Sequence, residues 1–370
     1  MAQSRALLLR LAGIAAVGLL LHGPAFAGEL GNIQQWPNSQ AEGSSFRLAS
    51  PIPGMDMGAE INAIYDSLPA TGGVIAVQQS ASFSTPIVFG TKDKPVLLTG
   101  LPADIVTLTY TGLSGVAMTF DYGCRHRMGH GLRDLTLTGP GNSTKTVGVK
   151  FGGTNGAEGI EFRDFKIQSF GTNLEMGSYT WLANFQHGMV RDGGINLLLP
   201  SWLTEAGEQI VFNHVTFADA PAPHTNSVWV QGGNQEVIFT DCSFDQAQLR
   251  IGNGGNTAAQ VVVKGTHFEN PNFAWPDSVN YDYIVVDQHA GNYLRISDSY
   301  FLQAAPTNGP AQFMNVWGGK VQFTGVGMYT PAGSPITHFC LLWNGATADV
   351  YGFNDLSGNI SGGSGWAQSN

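Results

Sequence analysis

The chain has 370 residues, of which 12% are charged, with 49 glycines, 21 phenylalanines and a formal net charge of −10. An apolar fraction of 43% excludes a disordered chain and is enough to build a large core. The acidic balance excludes a nucleic-acid partner, which needs a positive surface, and disfavours an anionic polymer unless a cation or a local basic cleft intervenes.

The first element in chain order is a secretory signal. Arg5 and Arg10 make a basic start, residues 11–21 are an apolar run, and Ala25-Phe26-Ala27 is a small-x-small cleavage site. The run is well short of the ~20 apolar residues that a membrane span needs. Residues 1–27 are therefore read as a cleaved signal, the product as secreted or periplasmic, and no integral membrane segment is expected after cleavage. Residues 28–55 follow as an N-terminal extension. Residues 56–68 predict a short amphipathic helix, with Ile61, Ile64, Tyr65 and Leu68 on one face and Pro69 and Gly72-Gly73 ending it. Such a helix can cover the open end of a stack of coils, whose first strands are expected in 74–123.

From residue 130 onward one pattern recurs eight times: apolar, x, apolar, two turn-forming residues, then another apolar pair. Its second apolar positions are Leu132, Phe162, Phe212, Phe239, Val263, Ile296, Phe323 and Val350. Most steps are 24 to 33 residues, the size of one three-strand coil; one step of 50 is either a coil with a large insertion or two coils with one degenerate repeat. Two residues after each anchor stand Asp134, Asp164, His214, Asp241, Gly265, Asp298, Gly325 and Gly352. Gly, Asp and His tolerate positive φ, so this column predicts a tight corner between two strands. A second strand set, around Trp229, Arg250, Val285, Asn315 and Trp343, lies between the repeats. These features predict an all-β fold: a single-stranded right-handed parallel β-helix over 56–355 with an N-terminal capping helix. An antiparallel sandwich would not require the same motif at near-constant spacing. The Gly/Ser-rich residues 356–370 read as a loose tail, leaving the last coil to be covered by that tail or by another subunit, so a homo-oligomer is compatible. Cys124, Cys242 and Cys340 match no metal or redox spacing and read as small buried hydrophobes.

The opening Glu60-Ile-Asn-Ala-Ile-Tyr-Asp-Ser-Leu-Pro-Ala-Thr-Gly-Gly-Val-Ile-Ala-Val77 and the eight motifs resemble the pectate-lyase-like superfamily of right-handed β-helix proteins, over nearly the whole mature chain. The resemblance implies a long carbohydrate as ligand, lying in a groove along the coils. It does not choose a reaction, because lyases, hydrolases, epimerases, tailspikes and non-catalytic members share the fold. The polygalacturonase branch has an Asn-Thr-Asp and an Asp-Asp pair before a Gly-His-Gly. Here Gly129-His130-Gly131 precedes most of the coils and follows neither, so His130 is read as an inward-facing residue of the first repeat.

Candidate site residues come from position. Outward positions of the second strand set form one row with Trp229, Arg250, Val285 and Asn315, and another with Gln231, Gly252, Asp287, Trp317 and Trp343. Aromatic faces stack on sugar rings, and amides and carboxylates bond hydroxyls; the plain alternative is a ladder that stabilises the sheet surface. A β-elimination needs a base and something to neutralise a uronate carboxylate. Arg250 is the candidate for neutralisation, and Asp287 could hold a Ca²⁺ for the same purpose; no dedicated metal site is read. A hydrolase would need two facing carboxylates, for which Asp287 with Asp192 is the candidate pair. The 50-residue step carries His187, Arg191 and Asp192 close together, as a binding wall with a base or as a corner ion pair. A loop over 269–283 offers Trp275 and Tyr283 as a sugar clamp or a packed cover. The expected function is an exported enzyme on a polysaccharide, a lyase of an acidic one placed first, a glycoside hydrolase second, and a non-catalytic carbohydrate-binding or adhesin-like protein third.

Overall fold

The computed structural model describes residues 45–50, 54–102, 106–123, 129–219, 227–233, 235–253, 258–270, 282–303, 312–330, 338–355 and 367–369. These residues form a right-handed parallel β-helix with one helix at its start. Among the described residues a first sheet of seventeen strands and a second of eleven run along the solenoid, and the third side is mostly turns. Each coil crosses the first sheet, turns a corner within it, passes to the second sheet and returns.

The corner is where sequence dictates geometry most directly. Asp134, Asp164, His187, His214, Asp241 and Asp298 all have φ between 49° and 53°, and Gly265, Gly325 and Gly352 complete the column. A left-handed L-residue costs roughly 1–2 kcal/mol, so short polar side chains and glycine are selected there. At Gly265 a Cβ would lie 2.2 Å from the Asp241 carboxylate on the preceding coil, which would have to swing aside. A second left-handed column, Ser169, Asp192, Asp219 and Gln246, marks where the chain leaves the first sheet.

The 50-residue step is two coils. Strand Asn184–Arg191 pairs in parallel with Glu161–Gln168 on one side and Ile210–Ala218 on the other. Phe185 stands between Phe162 and Phe212, and His187 occupies the corner column. The inward place after the corner is Gly188, and the ring of Phe165 fills the space its side chain would occupy. Residues 179–194 are thus part of the stack and not an insertion on its surface.

Inside, identical positions stack. Phe185, Phe212 and Phe239 form one aromatic column, with centroids 4.5 and 5.3 Å apart and planes within 15°. Phe244, Phe268 and Phe301 form another, at 4.7 and 4.6 Å. Each such pair is worth ~0.5–1.5 kcal/mol beyond its area. A buried amide ladder also runs through the core: Asn173 donates to Asn196 (2.8 Å), and Asn196 donates to Ser227 Oγ (3.0 Å) and to the Ala218 carbonyl. His130 is fully buried and shares a 2.7 Å hydrogen bond with the Tyr122 hydroxyl, as its inward place required.

The N-terminal end is closed by helix Met57–Ser67. Asp56 caps it, accepting from the amides of Gly58 and Ala59, and its carboxylate also takes the amides of Ser84 and Thr85 from the first coil. Met57, Ile61 and Tyr65 are buried against the coil, and Leu68 follows them. Strand Ser45–Ala49, within the span read as an extension, pairs in register with Gly73–Val77. At the other end Ala367–Ser369, within the tail, adds a strand beside His338–Leu342. Cys242 and Cys340 are buried free thiols; Cys124 lies outside the described residues. No helix among the described residues is long and apolar enough to cross a membrane.

Candidate active site on the outer face of the second sheet

Strand alternation puts every second residue of the second sheet on its outer face. The register aligns Trp229, Arg250, Val285 and Asn315 directly across successive rungs. One step beyond each strand, backbone bonds link Gln231 to Leu199, Gly252 to Val230, Asp287 to Ile251, Trp317 to Val286 and Trp343 to Val316. The two rows therefore form one strip. It climbs four rungs between strands Val228–Val230 and His338–Leu342, about 19 Å at ~4.8 Å per rung.

Arg250 and Asp287 form a two-pronged pair at its centre: Nε to Oδ2 is 2.8 Å and Nη2 to Oδ1 is 3.0 Å. The guanidinium also lies over the Trp229 ring, 5.3 Å from its centroid, an arrangement worth ~0.5–2 kcal/mol. Trp229 is oriented in turn by donating Nε1 to the Gly252 carbonyl at 2.7 Å. Only 10% of the Asp287 side chain is exposed, against 31% for Arg250.

Higher on the strip, Trp317 and Trp343 stack face to face at 4.8 Å and 13°, and Trp317 is 38% exposed. Trp343 donates Nε1 to the Asn315 carbonyl oxygen at 3.0 Å, while the Asn315 amide donates to Asp282 at 2.5 Å. Both ends of the Asn315 amide are thus occupied, the oxygen by the Trp343 indole and the nitrogen by Asp282. Asp282 was not foreseen from the sequence, because it precedes its strand and follows no repeat; its signal is only that it stands next to the Tyr283 corner.

The other candidate residues are not brought to this strip. Asp192 lies just before strand Ile195–Leu199, three rungs from the Ile284–Val286 strand that Asp287 follows, and at the opposite edge of the sheet. Three rungs alone are about 14 Å, too far for the ~6.5–9.5 Å of an inverting carboxylate pair. Arg191 instead bonds Asp192 at 2.8 Å and Asp219 at 2.6 Å, an ion-pair cluster at the second corner. His187 stands at the first corner, 3.7 Å from the Asp164 carboxylate, with its ring 5.3 Å from that of His214. Tyr283 faces inward, 5% exposed, against Phe301 and Phe313, and its hydroxyl donates to the Leu302 carbonyl. It belongs to the core because the chain is already in the inward column of Gln248 and Phe313 when it reaches Tyr283. Trp275 lies outside the described residues.

Asp287 does not suit Ca²⁺. Both of its oxygens are taken by Arg250, and a cation would have to displace the guanidinium.

The fold has counterparts among solved structures. The chain is similar to the enzymatically active domain of bacteriophage CBA120 tailspike protein 4, with a TM-score of 0.60 and 18% identity over 81% of this chain and 43% of that one. It is also similar to DFA-IIIase from Arthrobacter chlorophenolicus A6, with a TM-score of 0.51 and 12% identity over 83% of this chain and 94% of the other. A third is the catalytic domain of a GH87 α-1,3-glucanase in complex with tetrasaccharides, with a TM-score of 0.51 and 11% identity over 87% and 66%. The chain spans less than half the length of the tailspike domain it matches. No family model and no curated protein matches the chain. At these identities the likeness is one of fold alone, the right-handed parallel β-helix.

Proposed function

We propose that this chain is an exported polysaccharide-processing enzyme that holds a glycan lengthwise on the outer face of the second sheet and cleaves it there. The observation that carries this is the strip itself, an exposed indole stack continuous with an Arg–Asp–Trp cluster on consecutive rungs. Sugar rings stack on indole faces, and the polar rungs between offer hydroxyl partners. The fold is shared with a tailspike, a glucanase and DFA-IIIase, which supports a carbohydrate ligand by analogy.

The charge of the strip favours hydrolysis of a neutral glycan over β-elimination from an acidic one. A lyase must neutralise a uronate, yet Arg250 is already neutralised by Asp287. Within these rungs the described residues offer one arginine, no lysine, and the two carboxylates Asp282 and Asp287. Those two carboxylates are the groups from which an acid and a base would be drawn. A second reading, binding without cleavage, is favoured by the fact that both carboxylates already have partners.

The deciding experiment incubates the secreted chain with a panel of neutral and acidic polysaccharides. New reducing ends without an ultraviolet-absorbing product are expected, from a neutral glycan. An unsaturated product would instead establish the lyase. Retained binding with no cleavage of any member would sink the enzyme and leave the binding protein.

A further inference from the structure

A second cluster of ligating side chains lies around the coil, on the first sheet beyond the corner. Strands Ser243–Asp245 and His267–Asn270 are adjacent and in register, so Asp245 faces Glu269 directly and Ser243 faces His267. All four side chains alternate outward from the buried Phe244 and Phe268. One donor atom from each of Asp245, His267 and Glu269 lies within 4.8 Å of the other two. His267 Nδ1 is 4.0 Å from the Glu269 carboxylate.

Two features separate this cluster from an ordinary acidic surface. First, carboxylates directly opposite on neighbouring strands repel, yet among the described residues neither Asp245 nor Glu269 pairs with a lysine or arginine. Other outward acids of the solenoid do have one: Glu175 with Lys150, Asp219 with Arg191 and Asp349 with Lys320. Second, the donors are held. The Ser243 hydroxyl donates to Asp245 Oδ1, and the His267 ring packs against Tyr300 at 5.8 Å. The backbone beneath is a continuous parallel ladder, which fixes the spacing of the three side chains.

We propose that Asp245, His267 and Glu269 bind a first-row divalent transition metal ion, Zn²⁺ or Mn²⁺. One imidazole nitrogen and two carboxylate oxygens match the ligand chemistry of these ions, whereas Ca²⁺ wants six to eight oxygens. Bringing the donors to the ~2.0–2.2 Å that such ions require needs only side-chain rotation, since the strands are already adjacent. The ion would cancel the carboxylate repulsion and join two successive coils. It would sit on a different sheet from the glycan strip, so it concerns stability and not the cleavage chemistry.

The test is titration of the EDTA-stripped chain with zinc chloride and with manganese chloride by calorimetry, with thermal melts alongside. One ion per chain and a raised melting temperature are expected. His267→Ala and the isosteric Glu269→Gln should each weaken binding by at least about tenfold, while their melts in EDTA stay near that of the parent. His187→Ala, at the His187–His214 pair outside the cluster, should bind as the parent does. Absence of uptake at millimolar metal, or undiminished binding in both His267→Ala and Glu269→Gln, would overturn the proposal.

Discussion

Arg250 is held by three groups at once: two carboxylate oxygens and an indole face. Removing Asp287 leaves a half-buried guanidinium without its partner. Asp287→Ala should therefore destabilise the fold by about 1–3 kcal/mol, read from urea denaturation. Trp317 contributes little to the core, being 38% exposed. Trp317→Ala should leave stability nearly unchanged but weaken binding of a bound polysaccharide by about three- to tenfold in affinity electrophoresis. The two described cysteines should behave as core residues. Burial pushes the Cys242 thiol up to about 12, and burial with the nearby Asp282 carboxylate pushes Cys340 up further. In a Cys124→Ser chain, a thiol reagent at neutral pH should therefore label neither until denaturant is added.

At the scale of strands and corners, the stack was legible because a solenoid repeats the same demand at every coil. Eight corners announced themselves through Asp, His or Gly two residues after an apolar anchor. The ninth, at His187, did not, because Gly188 interrupts the apolar pattern and Phe165 from the coil before supplies the missing bulk. The surviving signal was the spacing of Phe185, His187 and Val190, which matches that of the other coils. Gly188→Val should collide with the Phe165 ring and destabilise by about 1–3 kcal/mol. The rows of the candidate site were legible from alternation alone. Which rows share a rung with Asp192 was not, since that depends on counting coils through the degenerate repeat. Of the two roles the 269–283 loop left open for Tyr283, sugar clamp or packed cover, its burial against Phe301 and Phe313 fits the packed one. At the capping helix, burial would raise the Asp56 carboxyl, but hydrogen bonds from Ser84, Ala59 and Thr85 outweigh it and lower its pKa. A depressed carboxyl stabilises above its ordinary range and loses that contribution as pH falls through the folded value. Asp56→Ala should cost about 1–2 kcal/mol at neutral pH, and less in strong acid, by denaturant melts across pH.

Taken whole, the chain is acidic but the strip is nearly neutral, and a neutral ligand would bind it with little regard to ionic strength. Affinity for the cleaved or bound glycan should change by less than about twofold between low and physiological salt, whereas an acidic glycan would respond strongly. The corner column has a further consequence. Its N-terminal members are Asp and His, and the first coil is locked under a capped helix. Its last two members, Gly325 and Gly352, surrender more backbone freedom on folding than any side-chain-bearing residue would. The solenoid is therefore polar in how it comes apart. It should unzip from its C-terminal coils, so that amide hydrogen exchange quickens progressively from Phe162 toward Val350 while the helix-covered end is the last to open.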